Sequence, residues 1–172
     1  NWLYRHQATP DDLRLAEFDL RALRSSLHAT RLNGNVRLTA GEKQTFQGTL
    51  EQDGMRISAD LLREGDAVRV RSMRAEARGG SVTGSGRLQL GEPMRFEANL
   101  ALERFDPARF GDYPEGDLNG RVEGSGVLGA NPTVDARWAL KDSTLRGEPF
   151  DSSGAGRFSR TRANRVIAQA RL

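Results

Sequence analysis

Histidine, cysteine and clustered carboxylates are the side chains that most often catalyse reactions or hold metals, and the chain is poor in them. It has two histidines, His6 and His28, and no cysteine. Neither histidine shows a metal-ligand spacing such as His-x-x-x-His, so we interpret both as surface residues. The lack of cysteine excludes disulfides, zinc-thiolate sites and thiol nucleophiles, and it leaves both the periplasm and the cytosol open.

Two further patterns could suggest chemistry, but neither fits a known site. Asp112, Glu115 and Asp117 do not follow the Asp-x-Asp-x-Asp-Gly loop of calcium sites, so a solvated turn is the better interpretation. The Gly-Ser-Gly sequences at 84–86 and 124–126 do not open a predicted helix, as a nucleophile elbow or a phosphate loop would require. We therefore expect no enzymatic activity, no cofactor and no metal.

The charge pattern favours a solvated strand face over a nucleic-acid interface. The chain has 26 Lys and Arg against 23 Asp and Glu, so its net charge is only +3. The signs alternate without a long run of like charges. The most basic stretch, residues 69–78, contains no aromatic side chain of the kind that stacks on bases. We expect no binding of nucleic acid.

The elements that carry these residues are predicted to be strands, because apolar residues recur with period two almost throughout. Met55, Ile57, Ala59 and Leu61 alternate with polar residues, and residues 94–102 and 134–140 repeat the pattern. Short Gly-containing turns separate the runs, as in antiparallel hairpins. The hydrophobic content of 37% and the 19 glycines suit a sheet with one apolar and one solvated face.

Several local features refine this prediction. The phase of the alternation slips between Val70 and Met73, which predicts a β-bulge. Asp106 followed by Pro107 is a helix-start signal and predicts one short helical turn. Residues 1–30 are less regular, and we favour a bulged strand there over an amphipathic helix. The chain ends on a strand-like run, 166–172, which we interpret as the end of a fragment of a larger protein.

Glycines recur within the strands, where they cost backbone entropy and side-chain packing, so we expect a strongly curved sheet. Its apolar residues would then share one side. The candidate face comprises Met55, Ile57, Val68, Val70, Leu88, Leu90, Met94, Phe96, Leu100, Leu102, Val122, Val134, Trp138 and Leu140. Two alternatives stay open: the closed core of a β-sandwich, and an open groove that binds a ligand.

The segment 100–128, LALERFDPARFGDYPEGDLNGRVEGSGVL, resembles the TamB family of translocation-and-assembly proteins, within the AsmA-like group. The likeness continues through 132–158, PTVDARWALKDSTLRGEPFDSSGAGRF. It covers about half of the chain and rests on short strands, the Asp-Pro segment and the leucine-glycine strand after it. The family's pattern contains no catalytic residue to carry over.

The resemblance implies that residues 1–172 form a single segment of a protein anchored in the inner membrane of a Gram-negative bacterium and crossing the periplasm. Its fold would be a β-taco, an antiparallel or mixed sheet bent into a U with an apolar concave groove. The implied role is phospholipid transport to the outer membrane, or assembly of β-barrel proteins there. A BamA-like barrel of the TamA type would be the partner, through regions outside this segment.

Three occupants of the apolar face follow as hypotheses. Phospholipid acyl chains would bind by burying methylenes, at about 0.8 kcal/mol each. Unfolded strands of outer-membrane proteins could use the same groove, or add to a sheet edge by β-augmentation. A structural β-solenoid or sandwich module would instead bury the face in a closed core and bind nothing.

Overall fold

The computed structural model describes residues 11–22, 25–160 and 166–171, and strands make up most of them. Two short 3₁₀ helices, Leu20–Ala22 and Pro107–Arg109, complete the regular structure. The strands are β1 (Asp11–Phe18), β2 (Leu32–Thr39), β3 (Lys43–Gln52), β4 (Met55–Glu64), β5 (Ala67–Ala77), β6 (Gly80–Gln89), β7 (Met94–Phe105), β8 (Gly116–Leu128), β9 (Thr133–Leu140), β10 (Thr144–Leu145), β11 (Glu148–Pro149), β12 (Ser152–Arg160) and β13 (Val166–Arg171).

The strands form a single open antiparallel sheet, which confirms the all-β prediction. Strands β1 to β9 pair in chain order, and β12 and β13 continue the path after β9. The two-residue strands β10 and β11 pair with each other, and β10 also pairs with β8. Substantial contacts join only strands that are hydrogen-bonded neighbours. No second layer of strands packs on this sheet among the residues that the structure describes.

The bulge predicted in β5 is confirmed by the register on both of its sides. Toward β4, Asp60 pairs with Ser72 and Leu61 with Val70, so Arg71 is the extra residue. Toward β6, the register likewise shifts between Val70 and Met73. A bulge leaves two successive side chains on one face and restores the alternation beyond it. Val68 and Val70 therefore share a face with the apolar residues on the other side of the bulge.

The prediction of a bulged N-terminal strand is confirmed in part, and that of a short helical turn is confirmed. Residues 11–18 form a strand with a register shift between Leu15 and Phe18, but Leu20 lies in the first 3₁₀ helix, and residues 1–10 lie outside the described residues. The Asp-Pro signal marks the second 3₁₀ helix, where the Asp106 side chain accepts a hydrogen bond from the backbone N–H of Ala108 at 3.2 Å. The aspartate replaces a backbone partner that this N–H lacks at a helix start. Pro107 fits the first helical position because its ring fixes φ near the helical value.

The core lies at one end of the sheet, where two long connectors fold over it. The β1–β2 connector and the β7–β8 connector meet at a β-bridge between Leu27 and Gly111. Backbone hydrogen bonds of 2.8 and 3.0 Å flank the bridge, from His28 to Phe110 and from Asp112 to Ser26. The buried cluster under them contains Leu20 and Phe110 from the connectors and Leu32, Met55, Ala75, Ala77 and Val82 from the strands.

Candidate apolar binding face

The register places thirteen of the fourteen candidate residues on one face of the sheet, which we call the apolar face, and Leu90 follows the end of β6 without a register partner. They lie on β4 (Met55, Ile57), β5 (Val68, Val70), β6 (Leu88), β7 (Met94, Phe96, Leu100, Leu102), β8 (Val122) and β9 (Val134, Trp138, Leu140), with Leu90 directly after β6. Residues paired directly across antiparallel strands point to the same side. Leu88 pairs with Phe96, for example, and Val122 pairs with both Leu100 and Trp138.

The connectors cover only one end of the apolar face. Met55 belongs to the buried cluster, and Ile57, Leu100 and Leu102 pack against it. Phe105 stacks on Phe110 of the β7–β8 connector with ring centroids 5.4 Å apart. The other ten candidates lie outside this cluster and its packed neighbours, and their side chains are half-buried. They shield one another along the sheet, but none of the described strands packs on them.

Trp138 is the largest side chain in this uncovered region. Its indole Nε1–H donates a 2.9 Å hydrogen bond to Oγ of Ser152, which lies on the neighbouring strand β12. The polar end of the ring is therefore satisfied without water, while the rest of the ring remains available for apolar contact.

A strip of glycine and alanine crosses the apolar face, and sequence reasoning missed it. Five residues pair in succession from β6 to β12: Gly86, Ala98, Gly124, Ala136 and Gly156. Larger apolar side chains flank the strip on both sides, with Leu88, Phe96 and Val134 along one edge and Leu100, Val122 and Trp138 along the other. The recurring glycines in the sequence were its only signal, since the alignment of five strands depends on the register.

The close approach of neighbouring strands explains why some of these positions are glycine. A Cβ on Gly86 would lie closer than 3.0 Å to the carbonyl oxygen of Glu97 on β7. A Cβ on Gly126, beside the strip, would come equally close to the carbonyl oxygen of Thr133 on β9. Real Cβ atoms do not make such contacts, so side chains are excluded there by the backbone of the next strand.

The opposite face carries the polar and ionic residues, and we call it the charged face. Cross-strand ion pairs tie it together, for example Arg157 with Asp135 at 2.7 Å and Lys43 with Glu64 at 2.7 Å. The hydrogen bond from Arg157 lowers the pKa of Asp135, and the one from Lys43 lowers the pKa of Glu64. These groups are exposed, so the pairs add little to the stability of the fold.

Hollows on this sheet occur on the charged face. One of about 850 Å³ lies over the backbone of the glycine-alanine strip and is walled by polar residues such as Glu97, Asn99, Glu123, Arg137 and Arg157. Another, of about 360 Å³, lies between β5, β6 and β7 and is lined by three arginines. The charged face is therefore recessed between its long polar side chains.

The histidines and carboxylates considered for chemistry do not assemble into a site among the residues that the structure describes. His28 Nε2 lies 2.8 Å from the carbonyl oxygen of Ala108, within the contact between the two connectors. His6 lies outside the described residues. Asp117 accepts a hydrogen bond from Asn119 and faces Arg104 at 4.0 Å. Within the described ranges, no three metal-ligating side chains come close enough together to hold an ion.

Comparison with known proteins identifies no relative of the chain. No family model, curated protein or solved structure matches the chain. Among the residues described, no helix has the length and apolar character needed to cross a membrane.

Proposed function

We propose that this chain is a non-enzymatic, periplasmic segment of a TamB-like protein anchored in the inner membrane of a Gram-negative bacterium. In this proposal the sheet bends into a β-taco whose concave side is the apolar face, and phospholipid acyl chains pass along that face toward the outer membrane. The observation that carries the proposal is the uncovered apolar face with its strip of small residues between bulky apolar ones.

The dimensions of the strip suit one acyl chain. From β6 to β12 it crosses four strand spacings, which amount to about 19 Å. One leaflet of a bilayer holds its acyl chains in about 15 Å, half of the hydrocarbon thickness. A chain lying along the strip would contact glycine and alanine beneath it and Phe96, Leu100 or Trp138 at its sides. This arrangement needs no polar contact, in agreement with the apolar residues present.

The expected affinity is compatible with transport rather than storage. Ten methylenes with half of their surface covered would gain about 4 kcal/mol at about 0.8 kcal/mol per buried methylene. That gain corresponds to a dissociation constant of about 1 mM for the contact. A chain held this weakly can move on along the sheet, and a longer uncovered face would hold it more tightly.

Fluorescence quenching of Trp138 by lipids tests the proposal directly. Trp2 is the only other tryptophan, so Trp2→Phe leaves a single reporter on the apolar face. Phospholipid with brominated acyl chains should quench Trp138 in the purified chain, because bromine must come close to the indole. The matched control also carries Trp2→Phe and in addition Trp138→Phe and Ala139→Trp. These changes move the single reporter to an exposed position on the charged face.

Quenching of Trp138 without quenching of the control reporter would support an acyl chain on the apolar face. Equal quenching of both reporters would indicate unspecific adsorption and overturn the proposal. Quenching that is absent with lipid and appears with a brominated peptide copied from a barrel strand would favour the assembly role. If neither ligand quenches Trp138, the chain is a structural module.

A further inference from the structure

Three arginines come together on the charged face beside the β-bulge in β5, at a hollow that the apolar face does not share. Arg69 and Arg71 lie two residues apart on β5, so both point to the charged face, and the bulge adds Ser72 to that face before Met73 returns to the apolar face. The hollow of about 360 Å³ next to the bulge is lined by Arg69, Arg71 and Arg87, together with Ser85, Glu97 and Asn99.

Arg69 and Arg87 are placed where sheets normally avoid like charges. They pair directly across β5 and β6, and like charges in this position destabilise a sheet. Among the described residues neither of them belongs to an ion pair. An anion between the two guanidinium groups would turn this repulsion into attraction.

The carboxylates near the hollow do not balance its positive charge. Glu97 pairs with Arg87 across β6 and β7 and lines the hollow, and Asp60 lies 3.7 Å from Arg71. Three arginines thus face two carboxylates at the hollow itself, which leaves one positive charge there. Glu64 lies farther away and is paired with Lys43, whose hydrogen bond is the main reason why the pKa of Glu64 is lowered; the charges of Arg69 and Arg71 lower it further.

We propose that this arginine hollow binds a phosphate group. The planar guanidinium forms paired hydrogen bonds to two oxygens of one phosphate, so two facing arginines can hold it from both sides. The hydroxyl of Ser85 and the amide of Asn99 supply uncharged donors at the same hollow. The phosphate is either a free one or the headgroup of a phospholipid. This site is on the opposite face from the proposed acyl path, and either proposal can fail without the other.

The test follows the backbone amide and arginine Nε signals of the chain by NMR while inorganic phosphate is added at constant ionic strength. We expect saturable shifts confined to residues around Arg69, Ser85 and Arg87. The double variant Arg69→Gln, Arg87→Gln should bind at least about tenfold more weakly, since each lost charge-assisted hydrogen bond costs about 1.4 kcal/mol or more. Glu97→Gln removes a competing carboxylate and should tighten binding.

The matched control is Arg121→Gln with Arg137→Gln, which removes two positive charges from the same face outside the hollow. It should bind phosphate like the parent chain. Equal weakening in both double variants, or shifts that never saturate, would overturn the proposal.

A second measurement identifies the source of the phosphate. The chain is sedimented with vesicles of phosphatidylcholine alone and with added phosphatidylglycerol. Sedimentation with the mixed vesicles that is lost only in Arg69→Gln, Arg87→Gln assigns a lipid headgroup. Saturable phosphate binding without sedimentation assigns a soluble phosphate.

Discussion

A charged substitution should have very different effects at two positions of β7 that share the apolar face. Leu102 pairs with the buried Val82 and packs against the cluster under the connectors, whereas Phe96 lies outside that cluster, although both side chains are half-buried. Phe96→Asp and Leu102→Asp place the same carboxylate on the same strand and face. The two sites differ in what surrounds the new charge, because only residue 102 packs against the buried cluster.

The magnitudes follow from this difference. Leu102→Asp loses about half of a full burial, or about 1 to 1.5 kcal/mol, and adds the cost of desolvating a carboxylate against the buried cluster, for a total of about 3 kcal/mol or more. A domain of ordinary stability, about 5 to 15 kcal/mol, stays folded at ambient temperature but should melt at a clearly lower temperature than with Phe96→Asp. Phe96→Asp loses about half of a full burial, or about 1 to 1.5 kcal/mol. It adds little further cost, because the new carboxylate stays hydrated. Its melting temperature should fall by about 2 to 6 °C.

Thermal melts followed by circular dichroism measure both effects, with Phe96→Ala and Leu102→Ala as uncharged controls. For residue 96, the alanine and aspartate variants should melt within a few degrees of each other, whereas for residue 102 the aspartate should be far worse than the alanine. If Phe96→Asp lowers the melting temperature as much as Leu102→Asp does, the apolar face is a closed core and the open-face argument is wrong.

Three further predictions concern the strand register, acid stability and metals. Gly126→Ala should destabilise by about 1 to 3 kcal/mol through its clash with the next strand, whereas Gly124→Ala, whose Cβ would lie 3.8 Å from its nearest neighbour, should be neutral or slightly stabilising in urea titrations. Equal effects would refute the β8–β9 register. The hydrogen bond from the side chain of Arg21 is the main reason why the pKa of Asp19 is lowered to about 2. Stability from Asp19 is thus present above about pH 4 and lost toward pH 2, so the difference in melting temperature between the parent and Asp19→Asn should shrink over that range. A difference that is constant with pH would contradict it. Chelators should leave the melting curve unchanged, and a chelator-induced loss of stability would reveal a metal site.

The strands were predictable because their signal is local. Alternation over a few residues predicts a strand and its faces, and even the bulge near Arg71 shows as a slip of phase. The Asp-Pro pair similarly encodes the second 3₁₀ helix. The sequence also predicts that its apolar residues group on one face, because in-order hairpins keep the phase from strand to strand.

Features that depend on distant pairing were not predictable. The contact between the connectors joins Leu27 to Gly111, and no local pattern connects residues that far apart. The glycine-alanine strip and the facing Arg69 and Arg87 likewise appear only once the register is known. The short strands β10 and β11 carry too few residues for an alternation to be recognised.

The in-order pairing of β1 to β9 gives the sheet an adjustable length. Each hairpin adds two strands at one edge and returns the chain to the same side, so a gained or lost hairpin preserves both strand direction and the identity of the faces. Insertion of a single strand would reverse the direction of everything that follows. Such a sheet can therefore be lengthened in steps of two strand spacings, about 9.6 Å, without redesign of its existing parts. The length of the sheet can thus be set by the number of hairpins alone.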